Sequence, residues 1–141
     1  MEELIELRTC IEQQRYAEAL VLIGEMEEMS KEDKINKIYS YIEILLLHLI
    51  KKFAEHRMTR SWELSIRNSV AAIERVNKRR KSGGYYLTTA DLAALIEECY
   101  PFALSRASLE AFGGVYDETA LANQVDKDEI CREALTLIQK E

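Results

Sequence analysis

Helix-breaking residues are scarce in this chain. It holds one proline, Pro101, and five glycines, four of them in the pairs Gly83-Gly84 and Gly113-Gly114. An all-β domain needs turn signals about every 8–12 residues. Breakers this few and this clustered exclude it. Cysteine is equally sparse. Cys10, Cys99 and Cys131 are odd in number, far apart and without a CxxC. That excludes a disulfide framework and fits reduced thiols in a cytosol. Histidine occurs only at His48 and His56, with no cysteine near either, so no zinc spacing exists.

Other signatures are missing too. The chain has no glycine-rich dinucleotide or phosphate loop, no HExxH and no GxSxG. No cofactor and no metal is expected, and catalysis is not the expected role. Long apolar runs are also lacking. The longest, Ile42 to Ile50, is interrupted by Glu43 and His48 and is too short to span a bilayer. The N-terminal Met-Glu-Glu-Leu-Ile-Glu has neither the basic start nor the apolar stretch of a secretory signal. The expected setting is the cytoplasm, with no membrane partner.

What is present points to helices. The 141 residues suit a single domain over 1–141, and 48% apolar with 31% charged residues is a globular balance. Leu4, Leu7 and Ile11 recur at helical spacing over 3–14, and Leu20, Ile23 and Met26 do so over 16–29. Ser30 with Asp33 three residues on resembles a capping box and predicts the start of a third helix, running to Phe53. Its apolar face, Ile35 to Phe53, is the broadest in the chain and predicts the most buried helix. A turn over 55–59 precedes a fourth helix, 60–80, with Trp62, Ile66, Val70, Ile73 and Val76 (or Asn77) as its stripe. A fifth starts near Thr88, with Asp91 at the third position, and should kink or stop at Pro101 before resuming to Gly113. Residues 115–125 read as irregular or frayed helix, and Asp126 starts a last helix. The fold expected is all-α, a bundle of five to six helices around a central antiparallel hairpin of the third and fourth.

Charge is unevenly spread. The net charge of −6 argues against general nucleic-acid binding. Residues 51–81, however, hold ten Lys or Arg against three acids, a balance of +7 in an otherwise acidic chain. The fourth helix is thus a basic rod. Arg60, Arg67, Arg75, Lys78, Arg79 and Arg80 are its candidate binding residues. A basic run at a helix C-terminus also suits the helix dipole and can be no more than a solvated end. Trp62 with Arg60 and Arg67 can hold an anionic or planar ligand, or the guanidinium can simply cover the indole. His48 should lie level with Ile66 and Arg67 across the hairpin. It is either a polar clip between the helices or part of a site.

Two stretches carry a family resemblance. Leu45-Leu46-Leu47-His48-Leu49-Ile50-Lys51 is followed by Arg60-Ser61-Trp62-Glu63-Leu64-Ser65-Ile66-Arg67. This resembles the "LLxHLLK" and "RSW…SI" helices of the bacterial domain-of-unknown-function family number twenty-nine. Glu98-Cys99-Tyr100-Pro101-Phe102-Ala103 is similar to its later "Y-x-x-A" helix. The resemblance covers most of residues 5–110, and Val115 to Glu141 lacks the proline-rich segment of many members. It implies an all-helical fold and no established activity. The function expected is a non-enzymatic binding or adaptor module. Its basic, Trp-containing helix face would meet another protein, with a second copy of this chain as one option. Nucleic-acid association through the same helix is the alternative, and an enzyme centred on His48 and Arg67 comes last.

Overall fold

A computed structural model describes residues 2–79 and 83–139. Among these, every regular element is helical: α1 (Glu2–Glu12), α2 (Tyr16–Glu55), α3 (Arg60–Asn77), α4 (Thr89–Glu110), a 3-10 turn (Ala111–Gly114), α5 (Glu118–Ala122) and α6 (Lys127–Gln139). The all-α expectation holds. The only β pairing described is an isolated bridge between Lys78 and Tyr85.

Two expected breaks are absent. Ser30 does not start a helix but lies inside the 40-residue α2. The segment around it has no proline and is rich in Glu and Lys, with Glu27 and Lys31 at i,i+4 spacing. Ser costs a helix interior only a few tenths of a kcal/mol (about 0.5 at most), so the cap-like pattern does not prevail. Nor does Pro101 interrupt α4, which runs through it. The real stops are backbone turns: Gln14 and His56 take left-handed φ values of 60° and 53° just after α1 and α2.

Starts are capped as expected. Thr88 and Asp91 form a complete capping box on α4. Asp126 Oδ1 accepts the N–H of Asp128 at 3.0 Å at the head of α6. Gly114 ends the 3-10 turn at φ +80°, where a Cβ would sit 2.9 Å from Leu109 O, so only glycine fits.

The chain divides into two compact units, residues 1–36 and Lys37–Glu141. The first holds α1 and the start of α2. None of its predicted inward-stripe residues is buried, and Leu7, Ile23 and Met26 are only partly covered. Leu4 and Ile11 are about half exposed (49% and 48%), Leu20 is 68% exposed, and only Cys10 and Ala19 are buried. A two-helix pair is too small to enclose a core of its own.

The second unit holds the core. Ile38, Ile42, Leu45, Leu46, Leu49 and Ile50 of α2 are fully buried, with Ile73, Ile96, Leu121 and Ile130. The expected most buried helix is therefore the end of α2. Polar links set the directions. Tyr39, Glu43, Lys51 and Glu55 meet Cys99, Arg106, Glu110 and Phe112 in that order, so α4 runs parallel to this part of α2. Lys127 pairs with Glu97 and Gln139 with Thr89, so α6 runs antiparallel to α4. The turn at 56–59 leads into α3, whose first turn meets α2 where Trp62 lies against Lys51, and α3 also touches α6.

Candidate functional site

The turn between α2 and α3 organises a polar cluster. Thr59 caps α3 by accepting the N–H of Trp62 at 3.1 Å, which seats the indole at the hairpin end. Trp62 is buried, as is Lys51 (6% exposed). The Lys51 ammonium lies 4.7 Å from the indole centroid, and the Arg57 guanidinium also lies at 4.7 Å. Lys51 Nζ donates to Glu110 Oε1 at 2.9 Å. Arg57 Nε donates to Glu55 Oε1 at 3.0 Å, and Phe112 N–H donates to Glu55 Oε2 at 3.2 Å. A buried ammonium without a partner would be strongly destabilising. Here a carboxylate and a π-face share it, and the network ties α2, α3 and α4 together. Burial pushes the Glu55 carboxyl up, but the Phe112 N–H, the Arg57 bond and charge and the Lys51 charge outweigh it and hold it below the usual range.

His48 belongs to the edge of this cluster. It is half-buried, and its Nδ1 is shielded with no hydrogen-bond partner among the described residues. Burial lowers its pKa, the charges of Lys51 and Arg106 lower it further, and Glu110 opposes them. Those charges come from α2 and α4. Sequence spacing places His48 near Ile66 or Arg67: Ile66 is buried, while Arg67 is exposed (69%) and pairs with Glu63 at 3.4 Å. Equal distance from a turn fixes a residue's height on a helix, not the side it faces, and α2 is packed by two helices.

The outward face of α3 is a separate feature. Trp62, Ile66, Ser69, Val70, Ile73 and Asn77 point inward. Arg60, Leu64, Arg67, Ala71 and Arg75 follow one another at three- and four-residue steps along α3, and all are exposed, as is Lys78 just past its end. They form one stripe, with Arg60 and Arg75 about 22 Å apart along the axis. Arg60, Arg75 and Lys78 make no ion pair among the described residues. Arg79 packs its guanidinium 5.7 Å from the Tyr86 ring centroid. Arg80 lies outside the described residues. The expected face therefore separates in two. Its basic residues line the outside, while Trp62 is inside, covered by Lys51 and Arg57.

A third feature is a groove of about 420 Å³ lined by Ile73, Asn77, Tyr85, Leu87, Leu92 and Ile138. Asn77 is buried beneath it. Its Nδ2 donates to Leu87 O at 3.2 Å, and its Oδ1 accepts Leu87 N–H at 2.8 Å. The sequence offers Asn77 only as an alternative to Val76 on the stripe, and it does not single out the Lys51–Glu110 pair. The partners are ten and 59 residues away, and no spacing rule links them.

Among the described residues no cluster of three metal-ligating side chains occurs, and no helix is long and apolar enough to cross a membrane. The family model described as "Domain of unknown function DUF29" matches residues 8–135. The chain belongs to this family. Its description assigns no activity, and the DUF29 match reaches well past residue 110, where the resemblance read from motifs had ended. No solved structure matches the chain. The motif residues of this DUF29 chain have a common purpose in the fold. His48 and Lys51 from the first motif meet the charges of Glu110 and Arg106, and Lys51 meets Trp62 from the second. The motif stretches thus build the junction of three helices, and they leave the α3 stripe facing solvent.

Proposed function

We propose that this DUF29 protein is a non-enzymatic binding module, and that the outward face of α3 docks an acidic helical segment of a protein partner. The observation that carries this reading is the stripe Arg60, Leu64, Arg67, Ala71, Arg75 and Lys78. It is exposed along the helix while the opposite face is packed. Arginine at the rim with a leucine at the centre suits a protein contact, in which charge steers and an apolar spot anchors. Lys51 and Trp62 act as support, since they hold α3 at its place without reaching the surface.

A photo-crosslinking residue in place of Leu64 tests the idea in the native cell, with the same residue at exposed Leu109 as control. Capture of a protein through an acidic helical segment at 64, absent at 109 and lost in Arg60→Glu/Arg75→Glu, is the expected result. Capture of RNA or DNA, with affinity falling steeply as salt rises, would replace this reading with a nucleic-acid one.

A further inference from the structure

The first unit leaves an apolar face uncovered. On α1, Leu4, Leu7 and Ile11 line a shallow depression of about 500 Å³, flanked by Arg8 and Glu12. At the start of α2, Tyr16, Leu20 and Val21 are all exposed by more than half. The unit is also strongly acidic: residues 2–36 hold ten Asp or Glu and four Lys or Arg. Apolar side chains at the centre of an acidic surface match the opposite pattern on α3, where Leu64 and Ala71 sit between basic residues.

We infer that the partner of the α3 face is a second copy of this chain, docked through its α1 and the start of its α2. This rests on the reading of α3 as a docking face and names its occupant. Charge decides among the possible self-contacts. Pairing two first units would set acidic against acidic, and pairing two α3 faces would set basic against basic. Only the unlike pairing is favourable in both its centre and its rim. The lengths agree, since α1 has 11 residues, about 16 Å, against a stripe of about 22 Å. Each copy carries one face of each kind, so each copy can both offer and accept the contact.

Sedimentation equilibrium of the full chain tests this with two variants. Arg60→Glu/Arg75→Glu alters only the α3 face, and Leu4→Asp/Ile11→Asp alters only the first unit. All four residues are exposed, so both variants should keep the wild-type helical spectrum, and Leu4→Asn/Ile11→Asn is the milder replacement for the second. The wild type should dimerise at tens of micromolar, and each variant alone should dissociate at least about tenfold more readily. The two variants mixed should recover association, because the intact first unit of one meets the intact α3 of the other. Three results would overturn the inference. One is a monomeric wild type up to about 100 μM. Another is an α3 variant that dimerises normally, which would mean first unit on first unit. The third is a first-unit variant that dimerises normally, which would mean α3 on α3. A monomer whose residue 64 still captures a different acidic protein removes this inference and leaves the docking reading of α3 standing. Loss of capture at 64 as well removes both.

Discussion

Asn77 should be one of the most sensitive polar positions in the second unit. It is 4% exposed, and its amide exchanges two hydrogen bonds with the main chain of Leu87, itself buried. The amide pins Leu87, the residue just before the Thr88 cap of α4. Asn77→Ala removes both bonds and leaves the N–H and C=O of Leu87 without partners away from water. Each bond contributes a net of about 1 kcal/mol, and each stranded group adds a desolvation penalty of about 1–3 kcal/mol, partly relieved if the segment loosens. The expected loss is about 2–4 kcal/mol, a large part of a typical domain stability of about 5–15 kcal/mol. Urea unfolding followed by Trp62 fluorescence reads this directly, since Trp62 is the only tryptophan and lies in the same unit. The midpoint should fall with little change in the slope. Asn77→Asp sharpens the test. It keeps the acceptor for Leu87 N–H but turns a second acceptor toward Leu87 O and buries a charge. At pH 7 it should be at least as damaging as alanine. Burial raises the pKa of that carboxyl in the folded state, so folding takes up a proton and the deficit shrinks as pH falls. A loss below about 0.5 kcal/mol for Asn77→Ala, or an Asp variant that worsens on acidification relative to wild type, would refute the reasoning.

Lys51→Ala should destabilise by about 2 kcal/mol more than Lys52→Ala in the same urea assay, because Lys51 loses a buried ion pair and an indole contact while Lys52 is half-exposed. Lys51→Met, which keeps the apolar stem, should recover much of the difference. The lowered pKa of His48 means that the unfolded chain binds its proton first, so stability should fall as pH drops below about 6.5. His48→Leu should flatten that part of the pH curve, and an unchanged curve would show that the ring is not held neutral. Burial pushes the thiols of Cys99 and Cys131 up to about 12 and about 11, so both should react slowly with an aromatic disulfide reagent at pH 8 in the native protein and rapidly in urea. Arg75→Glu alone should change stability by less than about 0.5 kcal/mol, since its side chain is exposed and its role is at the surface.

Periodicity and local caps determined much of this protein. The near-continuous apolar run Ile42–Ile50 required a helix buried all round, and that stretch is the centre of the second unit. Thr88 with Asp91, and Asp126, fixed helix starts because a cap acts within a few residues. Local pattern failed where a longer-range balance decided. Ser30 carries a cap signature, yet nothing nearby stops the helix. Leu4, Leu7 and Ile11 have the spacing of a core face, but spacing shows only that they share a side and not that anything covers it. The basic count of residues 51–81 was legible as a number. Only the packing of α2 with α4 showed that Lys51 is buried against Glu110, while Arg60, Arg67, Arg75 and Lys78 stay exposed. His48 shows the same limit. Its distance from the turn gave its height on α2, but Arg106 and Glu110, which join Lys51 around it, come from α4, a helix that begins about forty residues later in the chain. A sequence fixes which residues share a helix face, and the tertiary structure decides what each face meets, because that depends on surfaces brought together from distant parts of the chain.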